Sequence, residues 1–223
     1  MKLLLHTCCA PCSVYCIKSL REEGIEPTLY WYNPNIQPYV EYKARRDCLR
    51  EYSKLINIAL EEDDAYGLDE FVRNVCNKLD RRCEEYCYPK RLRQAFEYAK
   101  AHGFDAISTT LLYSIYQKHD FIADLMDGLA KEYGIEFIYR DFRKGWQEGQ
   151  DEARRVGLYM QKYCGCVFSE EESGIGREFG RKMKKLGISP TNANARALIE
   201  ESKVDGLVVP SEIKKQLEQK TAS

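Results

Sequence analysis

Short apolar runs alternate along this chain with longer segments in which apolar residues recur at helical spacing. The apolar runs lie at 2–5, 28–32, 55–60, 105–109 and 136–140. The helical segments lie at 13–23, 38–54, 67–80, 89–102 and 119–133. Strands that alternate with helices are typical of parallel βαβ units. The pattern therefore predicts an α/β fold built on a parallel sheet.

Two polar segments directly follow predicted strands. His6–Cys12 comes after the first strand, and Thr109–Ser114 comes at the end of the fourth. In open parallel sheets, ligands bind outside the carboxyl ends of the strands. We therefore expect both segments to face the same crevice.

Length and composition suit a single globular domain with a small appendage. The chain has 223 residues, of which 44% are apolar, and we assign 1–187 to the α/β domain and 188–223 to a C-terminal helical extension or tail. The net charge is −1, so any nucleic-acid surface must be local. No apolar run is long enough for a signal peptide or a membrane span. We expect a cytoplasmic protein with no membrane partner.

The ten cysteines are the most informative residues. Cytosolic thiols stay reduced, so this number indicates metal binding or redox chemistry rather than a disulfide framework. Seven of the ten fall into three tight motifs, HTCCAPC, CEEYC and YCGC. The seven are Cys8, Cys9, Cys12, Cys83, Cys87, Cys164 and Cys166. The isolated Cys16, Cys48 and Cys76 are expected in the core.

The first motif places its cysteines between a strand and a helix, with Ser13 expected as the N-cap of that helix. A helix N-terminus lowers the pKa of a thiol and so favours the thiolate. Adjacent cysteines such as Cys8 and Cys9 suit different irons of a cluster, or two neighbouring metals, better than one ion. Buried free thiols are the alternative.

The other two motifs leave more than one interpretation open. Cys83 and Cys87 are four residues apart, on one face of a helix, and basic neighbours would stabilise an anionic cluster. A structural zinc site shared with the first motif is the competing interpretation. Cys164-Gly165-Cys166 can close a strained, redox-active disulfide or bind a second metal. Four thiolates satisfy a 4Fe–4S cluster, so seven imply a second redox element.

In combination the motifs resemble one known family. They are His6-Thr7-Cys8-Cys9-Ala10-Pro11-Cys12, Asn33-Pro34-Asn35-Ile36, Glu41-Tyr42, Cys83 with Cys87, Thr109-Thr110-Leu111-Leu112 and Tyr163-Cys164-Gly165-Cys166. Over about residues 2–170 the chain is similar to the QueH family of cobalamin-independent epoxyqueuosine reductases. The resemblance implies a three-layer, Rossmann-like fold akin to adenine-nucleotide α-hydrolases. It also implies an iron–sulfur enzyme that reduces epoxyqueuosine to queuosine at the wobble position of tRNA, in the last step of queuosine synthesis.

The resemblance also suggests roles for individual residues. We expect the cluster on Cys8, Cys9, Cys83 and Cys87, and a second, adjacent iron on Cys12. Cys164 and Cys166 are the expected redox pair, with metal ligation as the alternative, and Asp141 is a candidate proton donor or iron ligand. The expected partners are an electron donor and a tRNA with a GUN anticodon. The residues expected to bind that tRNA are Arg81, Arg82, Lys90, Arg91 and Arg93.

Three other functions compete with the reductase. A tRNA-thiolating or nucleotide-activating enzyme of similar fold would need a glycine-rich phosphate loop after its first strand, where this chain has HTCCAPCS. A zinc-binding tRNA or protein adaptor would be colourless and redox-silent. A simple thiol–disulfide oxidoreductase would leave the surplus of paired cysteines unexplained.

Overall fold

A computed structural model of the protein describes residues 1–185. The chain divides into two compact units, the first comprising Met1–Glu170 and the second beginning at Glu171. The boundary predicted at 187 and the predicted extension at 188–223 lie outside the described residues. No helix in the described part of the chain is long and apolar enough to cross a membrane.

The first unit contains a parallel sheet of five strands in the order β3-β2-β1-β4-β5. The strands are β1 (Leu3–His6), β2 (Pro27–Trp31), β3 (Leu60–Glu62), β4 (Ala106–Thr109) and β5 (Glu136–Phe137). This order confirms the predicted parallel α/β fold. The sequence of strands reverses direction at β1, which pairs with β2 on one side and β4 on the other, so the crevice beyond β1 and β4 is the expected binding position.

Helices connect the strands. They are α1 (Ala10–Glu22), α2 (Tyr39–Leu55), α3 (Leu68–Val75), α4 (Tyr88–Ala101), α5 (His119–Tyr133) and α6 (Trp146–Arg155). Two further helices follow, α7 (Val167–Ser173) and α8 (Ile175–Lys185). A π-helical turn at Cys83–Cys87 leads into α4, and 3-10 turns at Thr110–Leu112 and Phe142–Gly145 follow the last two strands.

The core lies around β1 and β4, whose residues are all buried. Strands buried on both faces are apolar at successive positions, because helices cover both sides of a parallel sheet. Leu3, Leu4 and Leu5 are therefore inaccessible to solvent. The same packing carries His6 and Thr7, which are also buried, to the carboxyl edge of the sheet.

Some predicted boundaries are wrong. The third strand was predicted at 55–60, but α2 continues to Leu55 and a left-handed turn at Asn57 separates it from β3. Ser13 is not the N-cap of α1, because the helix begins at Ala10 and the Ser13 hydroxyl donates to the Ala10 carbonyl. Of the isolated cysteines, Cys16 is buried as expected, Cys48 is half-buried and Cys76 is exposed.

Candidate active site

The Cys8, Cys9 and Cys12 side chains form a compact triad where β1 passes into α1. Their sulfur atoms all lie within 4.8 Å of one another, and those of Cys8 and Cys9 are 3.8 Å apart. Two thiolates bound to one tetrahedral ion at about 2.3 Å would be separated by about the same distance. The triad can therefore hold a metal, and the spacing of the Cys8 and Cys9 sulfurs is also compatible with one shared ion. The expectation that they bind different metals stays a prediction.

Hydrogen bonds favour a thiolate within the triad. Bonds from Cys12 and Cys9 hold the pKa of Cys8 well below its usual range. The Thr110 hydroxyl also donates to the Cys8 sulfur, at 3.4 Å. Burial raises the pKa of Cys9 well above its usual range. Within the triad the Cys8 sulfur is therefore the one that favours the thiolate, while Cys9 favours the thiol. The Gln161 amide adds a donor 3.3 Å from the Cys12 sulfur.

Cys83 and Cys87 lie at the two ends of the π-helical turn that leads into α4. A hydrogen bond from Cys87, with the nearby charges of Arg82 and Arg91, lowers the pKa of Cys83 to about 6. The pKa of Cys87 is raised by the same hydrogen bond and by burial. Single π-helical turns are common at functional sites. The turn thus supplies a second thiolate that is ionised at neutral pH.

The Cys-Gly-Cys turn joins this second pair. Buried Cys166 belongs to the same small apolar cluster as Cys87. Cys164 is exposed, and its sulfur accepts a hydrogen bond of 3.2 Å from the Gln117 amide. Gly165 has a φ of 153°, a conformation that side chains disfavour. All ten cysteines are free thiols.

A buried arginine holds the Cys-Gly-Cys turn in place. Arg45 on α2 donates to the carbonyls of Tyr163 and Cys164 at 2.8 Å and 2.9 Å. Its Nε forms an ion pair of 2.6 Å with Glu41, and both side chains are buried. The backbone N–H of Gln37 also donates to the Gly165 carbonyl, at 2.8 Å. The start of α2 and the loop before it therefore fix the turn.

A second buried arginine links all three motifs. Arg91 on α4 is 3% exposed, and its Nε donates to the Cys87 carbonyl at 3.0 Å. Its positive charge favours the thiolate form of Cys8, Cys83, Cys87 and Cys164. The hydrogen bond with Cys83 and burial nevertheless raise the pKa of Cys87, and burial raises the pKa of Cys164. Cysteines from three distant parts of the sequence therefore lie within electrostatic reach of one guanidinium.

Comparison with known proteins identifies the family. The family model described as epoxyqueuosine reductase QueH matches residues 3–172, a range that includes all seven clustered cysteines. The chain belongs to the QueH family. A relative of that name from Dehalococcoides mccartyi is 40% identical over 171 residues, which are 77% of this chain and 93% of the relative.

More distant QueH relatives show similar coverage. The protein from Thermotoga maritima is 32% identical over 80% of this chain and 97% of its own length. That from Haemophilus influenzae is 35% identical over 83% of this chain and 79% of its own length. Among solved structures, a predicted subunit of a tRNA methyltransferase from Methanocaldococcus jannaschii has a TM-score of 0.47 and 12% identity, over 85% of this chain and 91% of that one.

The donor set of the site fits the iron–sulfur cluster that the family resemblance implies. Such clusters are bound by cysteine thiolates. The sulfurs of Cys8, Cys9 and Cys12 lie together, and Cys8 and Cys83 favour the ionised form. The buried guanidiniums of Arg45 and Arg91 supply positive charge. Burial without such charge would strongly disfavour an anionic cluster.

Asp141 lies outside these contacts. It caps the 3-10 turn that follows β5, and its carboxylate accepts bonds from the backbone and guanidinium of Arg143. These bonds lower the pKa of Asp141 to about 2. The carboxyl group is therefore ionised at neutral pH, which disfavours the predicted role as a proton donor. The other predicted role of Asp141, as an iron ligand, stays a prediction.

The five basic residues expected to bind tRNA occupy different environments. Arg82 and Arg91 are buried, so they cannot form an open phosphate-binding surface. Arg81, Lys90 and Arg93 form ion pairs with Glu85, Glu70 and Glu132, respectively. The structure thus distributes this group between the cysteine site and a surface of mixed charge, and its contact with tRNA stays a prediction.

Sequence reasoning missed several residues that contact the site. Gln117 and Gln161 donate to cysteine sulfurs, and nothing in their local sequence distinguishes them. Arg45, which donates to the Cys-Gly-Cys turn, was not among the predicted site residues. The spacing of Glu41 and Arg45, one helical turn apart, is a local signal for an ion pair, but it does not reveal burial.

Proposed function

We propose that this protein reduces epoxyqueuosine to queuosine in tRNA, the last step of tRNA queuosine biosynthesis. The observation that carries the proposal is the family match over residues 3–172, which includes the whole cysteine site. The similar proteins from Dehalococcoides mccartyi and Thermotoga maritima bear the name epoxyqueuosine reductase.

The overall reaction removes one oxygen atom from an epoxide. Two electrons and two protons convert the epoxide into an alkene and release water. A cysteine-bound cluster supplies electrons, and an acid or Lewis acid weakens the carbon–oxygen bond. Clustered thiols at the carboxyl end of β1 suit this reduction better than they suit the activation of a nucleotide.

In this proposal Cys8, Cys9, Cys83 and Cys87 hold the 4Fe–4S cluster, and Cys12 is a ligand of an adjacent iron. Proximity of the Cys8, Cys9 and Cys12 sulfurs supports a metal at the triad. Hydrogen bonds from neighbouring cysteines lower the pKa of both Cys8 and Cys83, and the charge of Arg91 adds to this effect at both thiols, which supports one shared negative site. Arg91 thus stabilises the thiolate ligands.

Cys164 and Cys166 form the proposed redox pair. Oxidation of two thiols to a disulfide releases two electrons and two protons, which matches the demand of one epoxide reduction. The apolar cluster that Cys166 shares with Cys87 and the hydrogen bond from the Gln117 amide to the Cys164 sulfur support a place beside the cluster. Metal ligation by Cys164 and Cys166 is the alternative assignment, and the iron content of Cys164→Ala distinguishes the two.

We assign a tRNA with a GUN anticodon as substrate and a separate reductant as electron donor. Arg81, Lys90 and Arg93 are the exposed or half-buried members of the predicted basic group, and they are the ones that can meet phosphates. A cytoplasmic location is part of the same proposal, since tRNA modification and reduced thiols belong to that compartment.

Anaerobic purification followed by iron, sulfide and zinc analysis tests the proposal. We expect about four irons and four sulfides per chain, bleaching of the visible spectrum by dithionite, and conversion of epoxyqueuosine in tRNA under dithionite. Additional iron would support the neighbouring site. Zinc alone, no visible absorption and no conversion in protein never exposed to air would overturn the reductase assignment in favour of a zinc-binding adaptor.

A further inference from the structure

An exposed apolar loop lies immediately beside the cysteine site. It connects the 3-10 turn after β4 with α5 and includes Ile115 and Tyr116, which are 48% and 79% exposed. The rings of Tyr116 and Trp146 pack nearly perpendicular to each other, with centroids 6.3 Å apart and planes at 82°. We call Ile115, Tyr116 and Trp146 the Tyr116 platform.

Hydrogen bonds hold the platform in a defined position. The Tyr113 hydroxyl donates to the Trp146 carbonyl at 2.7 Å, which ties the start of the loop to α6. At the other end, Gln117 accepts from the Tyr88 hydroxyl at 2.6 Å and donates to the Cys164 sulfur at 3.2 Å. Tyr116 therefore directly precedes Gln117, whose side chain contacts the Cys164 sulfur.

Two exposed lysines flank the platform. Lys118 and Lys144 are exposed on the two segments that carry it. Lys118 pairs with Glu84, whereas Lys144 forms no ion pair with any carboxylate in the described part of the chain. An exposed aromatic ring with nearby cations is the usual means of gripping unpaired bases.

We propose that the Tyr116 platform stacks an unpaired base of the anticodon loop, next to the nucleotide that is reduced. This inference rests on the proposed function, because it takes tRNA as the substrate. The reacting base must reach the cysteines, so its neighbours must lie on the adjoining surface, and enzymes that act on single bases commonly grip the flanking nucleotides. A docking site for a protein electron donor is the competing role, and the test separates the two.

Binding of an RNA hairpin with a GUN anticodon loop to the anaerobically purified full chain tests the platform. Trp146 is a local reporter, since the other tryptophan, Trp31, is fully buried. We expect the hairpin to quench Trp146 fluorescence. Tyr116→Ala should weaken binding about tenfold, because loss of one stacked base costs roughly that factor. Tyr116→Phe keeps the ring and should restore binding.

Leu55→Ala is the matched control. Leu55 is 70% exposed at the end of α2, at the opposite edge of the sheet, and its truncation should leave hairpin binding unchanged. Thermal melting of each variant checks the fold. With dithionite as reductant, Tyr116→Ala should raise KM for tRNA with little change in kcat.

The outcomes separate the platform from the proposed function. Unchanged hairpin affinity in Tyr116→Ala overturns the platform even if the wild-type protein reduces epoxyqueuosine. Slower turnover with a protein donor, at unchanged RNA affinity and normal dithionite activity, also overturns it and assigns the loop to donor docking. Failure of the wild-type protein to act on tRNA, with all metals loaded, instead refutes the proposed function.

Discussion

Arg45 shows how a single buried charge can organise the site. Its guanidinium joins Glu41 to the carbonyls of Tyr163 and Cys164. Removing one partner of a buried ion pair leaves the other charge uncompensated, which typically costs about 3–5 kcal/mol. We expect Arg45→Ala to lower the free energy of unfolding by about that amount in urea titrations.

A matched variant on the same helix isolates the effect of burial. Arg50 forms partly exposed ion pairs with Asp47, Glu62 and Asp64, so Arg50→Ala should cost less than Arg45→Ala. Arg45→Ala should also speed alkylation of Cys164, because the Cys-Gly-Cys turn loses its two hydrogen bonds from the Arg45 guanidinium to backbone carbonyls. Equal stability losses for the two variants would contradict the structural role given to Arg45.

His6 should make stability depend on pH. Burial, assisted by the charge of Arg91, lowers the pKa of His6 from 6.5 to about 4. The unfolded chain therefore binds a proton more readily than the folded chain, so stability is full above pH 6.5 and falls as the pH drops towards 4. This difference corresponds to about 3 kcal/mol.

Urea unfolding of the wild type and of His6→Asn over this pH range measures the effect. The variant has no imidazole to protonate, so its stability should fall less steeply between pH 6.5 and 4. Parallel pH profiles would show that other groups cause the acid sensitivity.

At the scale of elements, α1 and α6 pack closely because glycines remove side chains from their contact. A Cβ at Gly145 would overlap the ring of Tyr15 on α1, whereas a Cβ at Gly128 in α5 would meet nothing within 4 Å. Gly145→Ala should therefore destabilise the fold by about 1–3 kcal/mol through overpacking. Gly128→Ala should stabilise it by about 0.5–1 kcal/mol, since alanine is the better helix former.

Thermal and urea unfolding of the two glycine variants check this prediction, and opposite signs are the expected result. A tolerated Gly145→Ala would mean that Tyr15 can move without cost. Because α1 carries Cys12, the same variant should also alter metal content, while Gly128→Ala should not.

Local patterns predicted most elements but not all of their ends. The buried strands and amphipathic helices follow directly from side-chain periodicity. The third strand begins later than the apolar run at 55–60 predicts, because Leu55 and Ile58 are apolar but belong to the end of α2 and the turn after it. An apolar run alone does not distinguish the end of a helix from a short strand.

At the scale of the whole molecule, the cysteine motifs act together although they are far apart in sequence. We expect Cys87→Ala to lose both bound iron and activity, because it removes a proposed cluster ligand. Cys164→Ala should keep the iron but stop turnover, as expected for a redox pair. Cys76→Ala should keep both, since Cys76 is exposed and outside the site.

Iron analysis and a tRNA reduction assay on each variant measure these outcomes. Full activity in Cys164→Ala would remove the Cys-Gly-Cys pair from the mechanism. Loss of iron in the same variant would instead make Cys164 a metal ligand, which is the alternative assignment for that turn.

The sequence by itself determined the parallel α/β class, the positions of most helices, the three cysteine motifs and the family. These follow from periodicity and short spacings, which depend on neighbouring residues along the chain. Only the tertiary structure decided that Arg91 lies near cysteines of all three motifs, that Arg45 and Arg91 are buried, and that Tyr116 is exposed. Burial and charge contacts depend on which residues packing brings together. The spacing of two residues in the sequence does not determine the distance between them in space.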